Sequence, residues 1–439
     1  MGKMEENNKL KTVLVYVIVF AVTLTVLVGA ILITAGIPRE KIKENVVESA
    51  DYLMEKPLFH SITGNIDSTR VDRYADAILL GIAWQFGNGR TMETVMWSSY
   101  YDRSEEPESA DLKHASEEDL PANKQYMRYW HGSITLLKPL LLIFNIKQIY
   151  IVNAVVLGLL TGILLLMLFI HRIYIPAVGL LLGLILTFSY VVPFSLEYTW
   201  TFLLMLIFSI MITRREINYK TKWTGLYFLI FGMLTSFMDF LTTELITLFV
   251  PLLLLLWFRK NRRYDGVERH MDAWKKALCY SLVWGAGYAF TWISKWVIAG
   301  LYLHINPLKY VSEHIEERLG GNVGLSTWTY ITRALSRNIK SLMPWQTGET
   351  GAVISIAVLL VLSYIMFVYK RNKVDRKYIL IYLIIAVIPY IRYVVLHNHS
   401  FLHYFFTYRA QIITILALTL IFGELTDRSR MGHGNKKKK

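Results

Sequence analysis

Cysteine occurs once in the chain, as Cys279 within an apolar run. That excludes a disulfide framework and a thiolate metal site. The sequence also lacks a P-loop, a GxSxG elbow, an HExxH helix and a glycine-rich dinucleotide fingerprint. Nucleotide-driven and serine-hydrolase chemistries therefore have no motif to rest on. No internal repeat is evident, which withdraws support from the inverted-repeat transporter architecture. Charge is sparse: charged residues make up 18% of the chain and hydrophobic ones 54%. The apolar residues gather in many runs of 17 to 25, the length that crosses a bilayer as a helix.

A formal charge of +14 would suit nucleic acid, but its placement argues otherwise. If the spans alternate in direction, 24 of the 47 Lys and Arg fall in the following short pieces on one side. These are His171-Arg172, Arg214, Arg215, Lys220 and Lys222, the Arg259–Lys276 loop, Lys370–Lys377, the Lys436–Lys439 tail and the N-terminal Lys3, Lys9 and Lys11. This is the positive-inside pattern, and no nucleic-acid partner is expected. The run Thr12–Ile37 is too long for a signal-peptide core and has no small-residue cleavage site, so it reads as a retained first helix. Further spans are expected near 149–171, 173–194, 199–213, 224–240, 243–258, 277–301, 352–369, 378–396 and 404–424. The expected fold class is all-α: a polytopic bundle of about ten transmembrane helices with both termini cytoplasmic. It divides into a tail and first helix (1–37), an extracytoplasmic acidic loop (38–148), helices 2–7 (149–301), a second outer loop (302–351) and helices 8–10 with a basic tail (352–439).

The longest hydrophilic segment, 38–131, carries 17 Asp or Glu against 11 Lys or Arg. Within it, Asn65–Gln85 (NIDSTRVDRYADAILLGIAWQ) holds Asp67, Asp72 and Asp76. Val71, Ala75, Leu79 and Ile82 recur at helical spacing, which puts Asp72 and Asp76 on one face. Like charges four apart repel. The pair is thus either a base or cation clamp, or a solvated acidic face. Residues 103–124 are polar and read as a mobile surface loop. The apolar stretch 133–145, with Lys138 and Pro139 inside, is too short to span and reads as a re-entrant or interfacial helix.

Ionisable residues at membrane depth are functional candidates. Here they sit at outer helix ends: Glu197, Asp239, Glu244, Arg392 and Arg409. Lys295 lies deeper and is expected to snorkel outward. Asp239 has a plainer reading as a helix cap or an arginine partner. His397, His399 and His403 lie among Tyr404, Phe405, Phe406 and Tyr408 with no carboxylate in the segment, which favours an interfacial aromatic belt over zinc. Tyr126, Tyr129 and Trp130 share that reading, while the spacing of Arg128 and His131 suits a phosphate.

The layout resembles the membrane-embedded type C glycosyltransferases (GT-C): one N-terminal helix, a long acidic first outer loop, a short interfacial helix, then a bundle with a second outer loop. The segments DRYADAILLGIAW, RYWHG before an apolar Lys-Pro stretch, MDFLTTE and HNHSFLHYFFTYR are similar to uncharacterised Gram-positive members linked to surface polysaccharide. The resemblance implies a multi-pass enzyme of the cell membrane with its active site on the extracytoplasmic side. Its donor is a polyprenyl-phosphate-linked sugar, and its acceptor a glycan or glycolipid. The family's first-loop acid, the general base, falls on Asp76 or Asp72, with Asp67 third. The accompanying substrate-binding set is Arg73, Arg128, His131, Asp239, Glu244, Arg392, His399, His403 and Arg409. Arg128, His131, Arg392 and Arg409 are its cations for the leaving phosphate. Some members use a divalent ion, so Mg²⁺ or Mn²⁺ is an open possibility and no metal ligands are assigned. The chain departs from the pattern in having no DxD in its first loop. A lipid-linked saccharide polymerase, a transporter or flippase, and a non-catalytic membrane subunit are the competing readings.

Overall fold

The computed structural model describes residues 2–218, 223–239, 241–261, 273–306, 312, 326–343, 349–371 and 374–427. Lys220 and Lys222, most of the Arg259–Lys276 loop, nearly half of the second outer loop and the Lys436–Lys439 tail lie outside them. The described residues are helical, with isolated bridges but no strands. Among the described residues, five helices are long and apolar enough to cross a membrane: Leu10–Ala35, Ile146–Ile170, Leu196–Ile217, Arg376–Val395 and Tyr404–Leu425.

In chain order the helices are α1 (Gly2–Ala35), α2 (Lys43–Met54), α3 (Arg73–Gln85), α4 (Thr91–Trp97), α5 (Glu108–Glu117) and α6 (Ile134–Leu140). Then come α7 (Ile146–Ile170), α8 (Tyr174–Leu186), α9 (Leu196–Ile217), α10 (Thr224–Met238), α11 (Leu245–Asn261) and α12 (Ala273–Leu303). The last are α13 (Thr327–Lys340), α14 (Glu349–Val368), α15 (Arg376–Val395), α16 (His397–Leu402), α17 (Tyr404–Thr407) and α18 (Ile412–Leu425). Two expected spans are interrupted. The 173–194 stretch stops being α-helical at Leu186, where Phe188 takes a left-handed φ of 49° and a 3-10 turn follows over Ser189–Phe194. The 404–424 stretch begins as α17, tightens into a 3-10 turn over Tyr408–Gln411 and resumes as α18.

The bundle packs α10 on α12, α9 on α11 and α7, and α18 on α8 and α15. The α10–α12 contact is close because Gly232 and Gly287 stand at the crossing: a Cβ on either would run into the opposing backbone, at Trp284 and Leu229 respectively. Small residues at such positions let helix backbones approach, and dispersion then holds them together where lipid offers no hydrophobic drive. At the far end of α9, Arg259 pairs with Glu216 at 3.3 Å, and Lys260 pairs with Glu424.

Residues 38–145 fold onto the other end. Helix α2 packs on α5 and α7, and α3 on α5 and α9. An Asn145–Gln148 capping box starts α7, and Ser49 Oγ on α2 accepts its Ile146 N–H at 2.8 Å. The 103–124 stretch is not a mobile loop. It contains α5, anchored by Asp111, which is 1% exposed and accepts from the Arg103 backbone and side chain at 2.9 and 2.6 Å. Two lysines are buried, and one of them departs from expectation. Lys138 is buried and donates to the Phe86 carbonyl. Lys295 does not snorkel outward; it is buried and donates at 2.6 Å to the Val95 carbonyl in the last turn of α4, where a cation complements the helix dipole.

Candidate active site

Helix α3 begins where Asp72 caps it, its Oδ1 accepting from the Ala75 N–H at 2.8 Å. The preceding turn is held by Val71 N–H to His60 O and Arg73 N–H to Leu58 O. Position 72 therefore has a structural duty, which is one reason an Asp stands there. The solvated-face reading fails: Asp72 is 3% exposed and Asp76 is fully buried.

The two carboxyls part company. Asp76 turns into the bundle, where it accepts from Tyr150 Oη at 2.5 Å, the Leu196 N–H at 2.8 Å and Ser195 Oγ at 3.4 Å. Burial pushes its pKa up to about 8 against the pull of these donors. Asp72 instead lines a cavity of about 410 Å³. Burial raises its pKa to about 6, restrained by the Ala75 N–H.

Beside Asp72 on the cavity wall stands Glu197, in the first turn of α9. The two carboxyls interact directly, and two buried like charges so placed favour sharing one proton. Cationic and imidazole groups also line this space. Lys124 pairs with Asp102 and lies 5.6 Å from the Tyr100 ring. Arg128 sits 4.5 Å above the Tyr126 ring and donates to its hydroxyl at 3.0 Å. The Arg128 carbonyl accepts from two indoles, Trp292 at 2.7 Å and Trp296 at 3.2 Å, which fixes this loop on α12. His131 is fully buried, its Nε2 is 2.8 Å from the Tyr126 carbonyl, and burial lowers its pKa to about 3, so the ring is neutral. The next residue must be glycine, because a Cβ on Gly132 would strike the Phe237 ring. His399, His403 and Phe406 complete the lining, with the imidazole centroids 4.8 Å apart and His403 stacked on Phe406 at 5.2 Å.

Asp72, Arg128, His131, His399 and His403 are thus brought together. The other expected site residues are placed elsewhere, each with local work. Asp67 pairs with Arg70 at 2.7 Å and accepts from Tyr404 Oη at 2.8 Å. Arg73 donates to the Tyr52 and Leu53 carbonyls at the end of α2 and stacks on Tyr52. Asp239 closes a turn with the Thr242 N–H and hydroxyl. Glu244 and Arg392 form a buried bidentate pair at 2.6 and 2.9 Å. Arg409 donates to the Ser68 and Phe405 carbonyls, both at 3.1 Å. Lys124 was missed because its stretch read as loop. Glu197 was noted in the sequence as an outer-end acid, but nothing there paired it with Asp72.

Among the described residues, no group of three or more His, Cys, Asp or Glu is arranged to hold a metal ion. Compared with protein-family models, curated proteins and solved structures, the chain matches none of them.

Proposed function

We propose that the chain is a GT-C-type membrane glycosyltransferase acting at the cavity lined by Asp72 and Glu197. The reading rests on one observation: a buried carboxyl pair shares a single cavity with Lys124, Arg128 and a cluster of imidazoles. In the proposed reaction, the acceptor hydroxyl attacks the anomeric carbon of a polyprenyl-phosphate sugar. The bond from that carbon to the phosphate oxygen breaks, and polyprenyl phosphate leaves. Asp72 takes the hydroxyl proton, and its raised pKa makes it a better base than an ordinary carboxylate while leaving it ionised at neutral pH. Glu197, beside it on the cavity wall, positions Asp72. Lys124 and Arg128 neutralise the departing phosphate, and neutral His131 holds the Tyr126–Arg128 turn in place. Asp76, engaged by three donors, supports the start of α9 rather than the chemistry.

This reading keeps the topology of about ten spans with both termini cytoplasmic, so the end built from residues 38–145 faces outward. The test is turnover by the purified chain with a panel of polyprenyl-phosphate sugars and candidate glycan acceptors. Release of polyprenyl phosphate by the wild-type chain supports the proposal. Saturable donor binding without release, across donors and acceptors, would instead favour a carrier of lipid-linked sugars.

A further inference from the structure

Helix α13 (TWTYITRALSRNIK) is the most amphipathic of the described helices, and one of its faces is buried against the other described residues. That face carries Tyr330, Ala334 and Asn338, all buried. Asn338 alone makes three ties: its amide donates to the Ser400 carbonyl at 2.9 Å, its Oδ1 accepts from Thr407 Oγ1 at 2.7 Å, and its carbonyl accepts from Gln411 at 2.8 Å. Arg337 lies on the edge of the same face, 4.0 Å above the Phe401 ring. At its C-terminal end, Ser341 O accepts from Ser68 and the Met343 N–H reaches Leu186 O. The helix is therefore fixed at the level where α8 ends.

At 100° per residue, two further stripes follow from the sequence. Trp328, Ile331, Leu335 and Ile339 form an apolar one, with Trp328 73% and Ile339 40% exposed. Arg333, Ser336 and Lys340 form a polar, basic one beside it, and all three are exposed. An exposed apolar stripe bordered by cations, with an indole among its members, matches the headgroup boundary of a bilayer rather than bulk water. The neighbouring surface agrees: the exposed apolar residues of α15 continue through Ile391, Val394 and Val395 to Leu402 on α16, against which α13 packs. The apolar belt of a candidate spanning helix thus leads up to α13.

We infer that α13 is an interfacial helix: Trp328, Leu335 and Ile339 enter the boundary between headgroups and acyl chains, and Arg333 with Lys340 binds the phosphates of anionic lipids. The inference needs only the membrane location of the bundle and is independent of the proposed chemistry. The occupant is an anionic bilayer surface, because the exposed charges bordering the apolar stripe are cationic. Juxtamembrane cations gain about fivefold each in surface preference from anionic lipid.

The test places a fluorophore at Thr332→Cys, between Trp328 and Ile339, in the full chain carrying Cys279→Ser, reconstituted in nanodiscs. A second label at Ser336→Cys reports the polar stripe. Expected is quenching of the 332 probe by brominated lipid and of the 336 probe by aqueous iodide. Immersion at 332 should increase when phosphatidylglycerol replaces part of the phosphatidylcholine. Arg333→Gln together with Lys340→Gln should abolish that increase, and Trp328→Ala should reduce immersion in either lipid. Iodide quenching at 332 equal to that at 336 in both lipids would overturn the inference. Shielding of 332 from both quenchers would do so too, by revealing a protein cover.

Discussion

The buried pair of Arg392 and Glu244 offers the sharpest test of what holds the bundle together. Their side chains are 5% and 8% exposed, and two hydrogen bonds join them at 2.6 and 2.9 Å. Arg392 also donates to the carbonyl of Leu241 at 2.6 Å, a residue held at a left-handed φ of 68°. One guanidinium therefore fastens the end of α15 to the turn between α10 and α11. Arg392→Met leaves a buried carboxylate unpaired and a carbonyl without its donor. Removing one partner of such a pair costs about 3–5 kcal/mol. Glu244→Leu should cost less, about 2–3 kcal/mol, since Arg392 keeps the Leu241 carbonyl. The double variant buries neither charge and should recover about 2 kcal/mol or more relative to the sum of the single losses. The assay is unfolding of purified protein in mixed micelles at increasing SDS fraction, run as a double-mutant cycle. Single variants within about 0.5 kcal/mol of wild type, or a strictly additive double, would refute the reasoning.

Three further outcomes follow from the same geometry. Asp76 has a folded pKa of about 8, above its ordinary value; a raised acid favours folding below the unfolded pKa and loses that contribution as pH rises to the folded one. The contribution of Asp76 to stability should therefore fall between about pH 4 and pH 8, against the opposite slope that buried, neutral His131 imposes below about pH 6.5. In thermal melts the Tm advantage of wild type over Asp76→Asn should shrink as pH rises through that window, the slope common to both belonging to other shifted groups, among them Asp72, Asp239 and His131. Gly287→Ala pushes a methyl into the Leu229 carbonyl and should cost about 2 kcal/mol or more, read as a lowered Tm. Thr242→Val keeps the shape but removes the hydroxyl that donates to Asp239 at 2.5 Å. It should destabilise by about 1–3 kcal/mol, while Thr242→Ser should stay near wild type.

The helical class and the main apolar spans were legible because hydrophobic length and periodicity are local properties. The interruptions at Phe188 and at Tyr408–Gln411 were not, since each depends on what the turn packs against: Tyr408 Oη, for example, donates to the carbonyls of Ser68 and Thr187. Periodicity put Asp72 and Asp76 on one helix, but Asp72 is the cap and Asp76 the first turn, so they diverge into different surroundings. The partnership of Asp72 with Glu197 joins positions 125 residues apart in sequence and leaves no mark in either local pattern. Arg392 and Arg409 carry the charge a leaving phosphate needs, yet neither lines the cavity, and both are held by groups of the fold. Lys295 reads as surface-seeking because sequence does not show the Val95 carbonyl that takes up its ammonium group.

The measurement that bears most directly on the proposed site is turnover of Asp72→Asn beside Asp76→Asn, with each variant checked by thermal melt. The expected result is release of polyprenyl phosphate by wild type and by Asp76→Asn. Asp72→Asn should lose at least about a hundredfold, the scale of general-base catalysis, at little cost in Tm because Asn also caps helices. Full turnover by a folded Asp72→Asn, or loss confined to a folded Asp76→Asn, would contradict the assignment of Asp72 as the base.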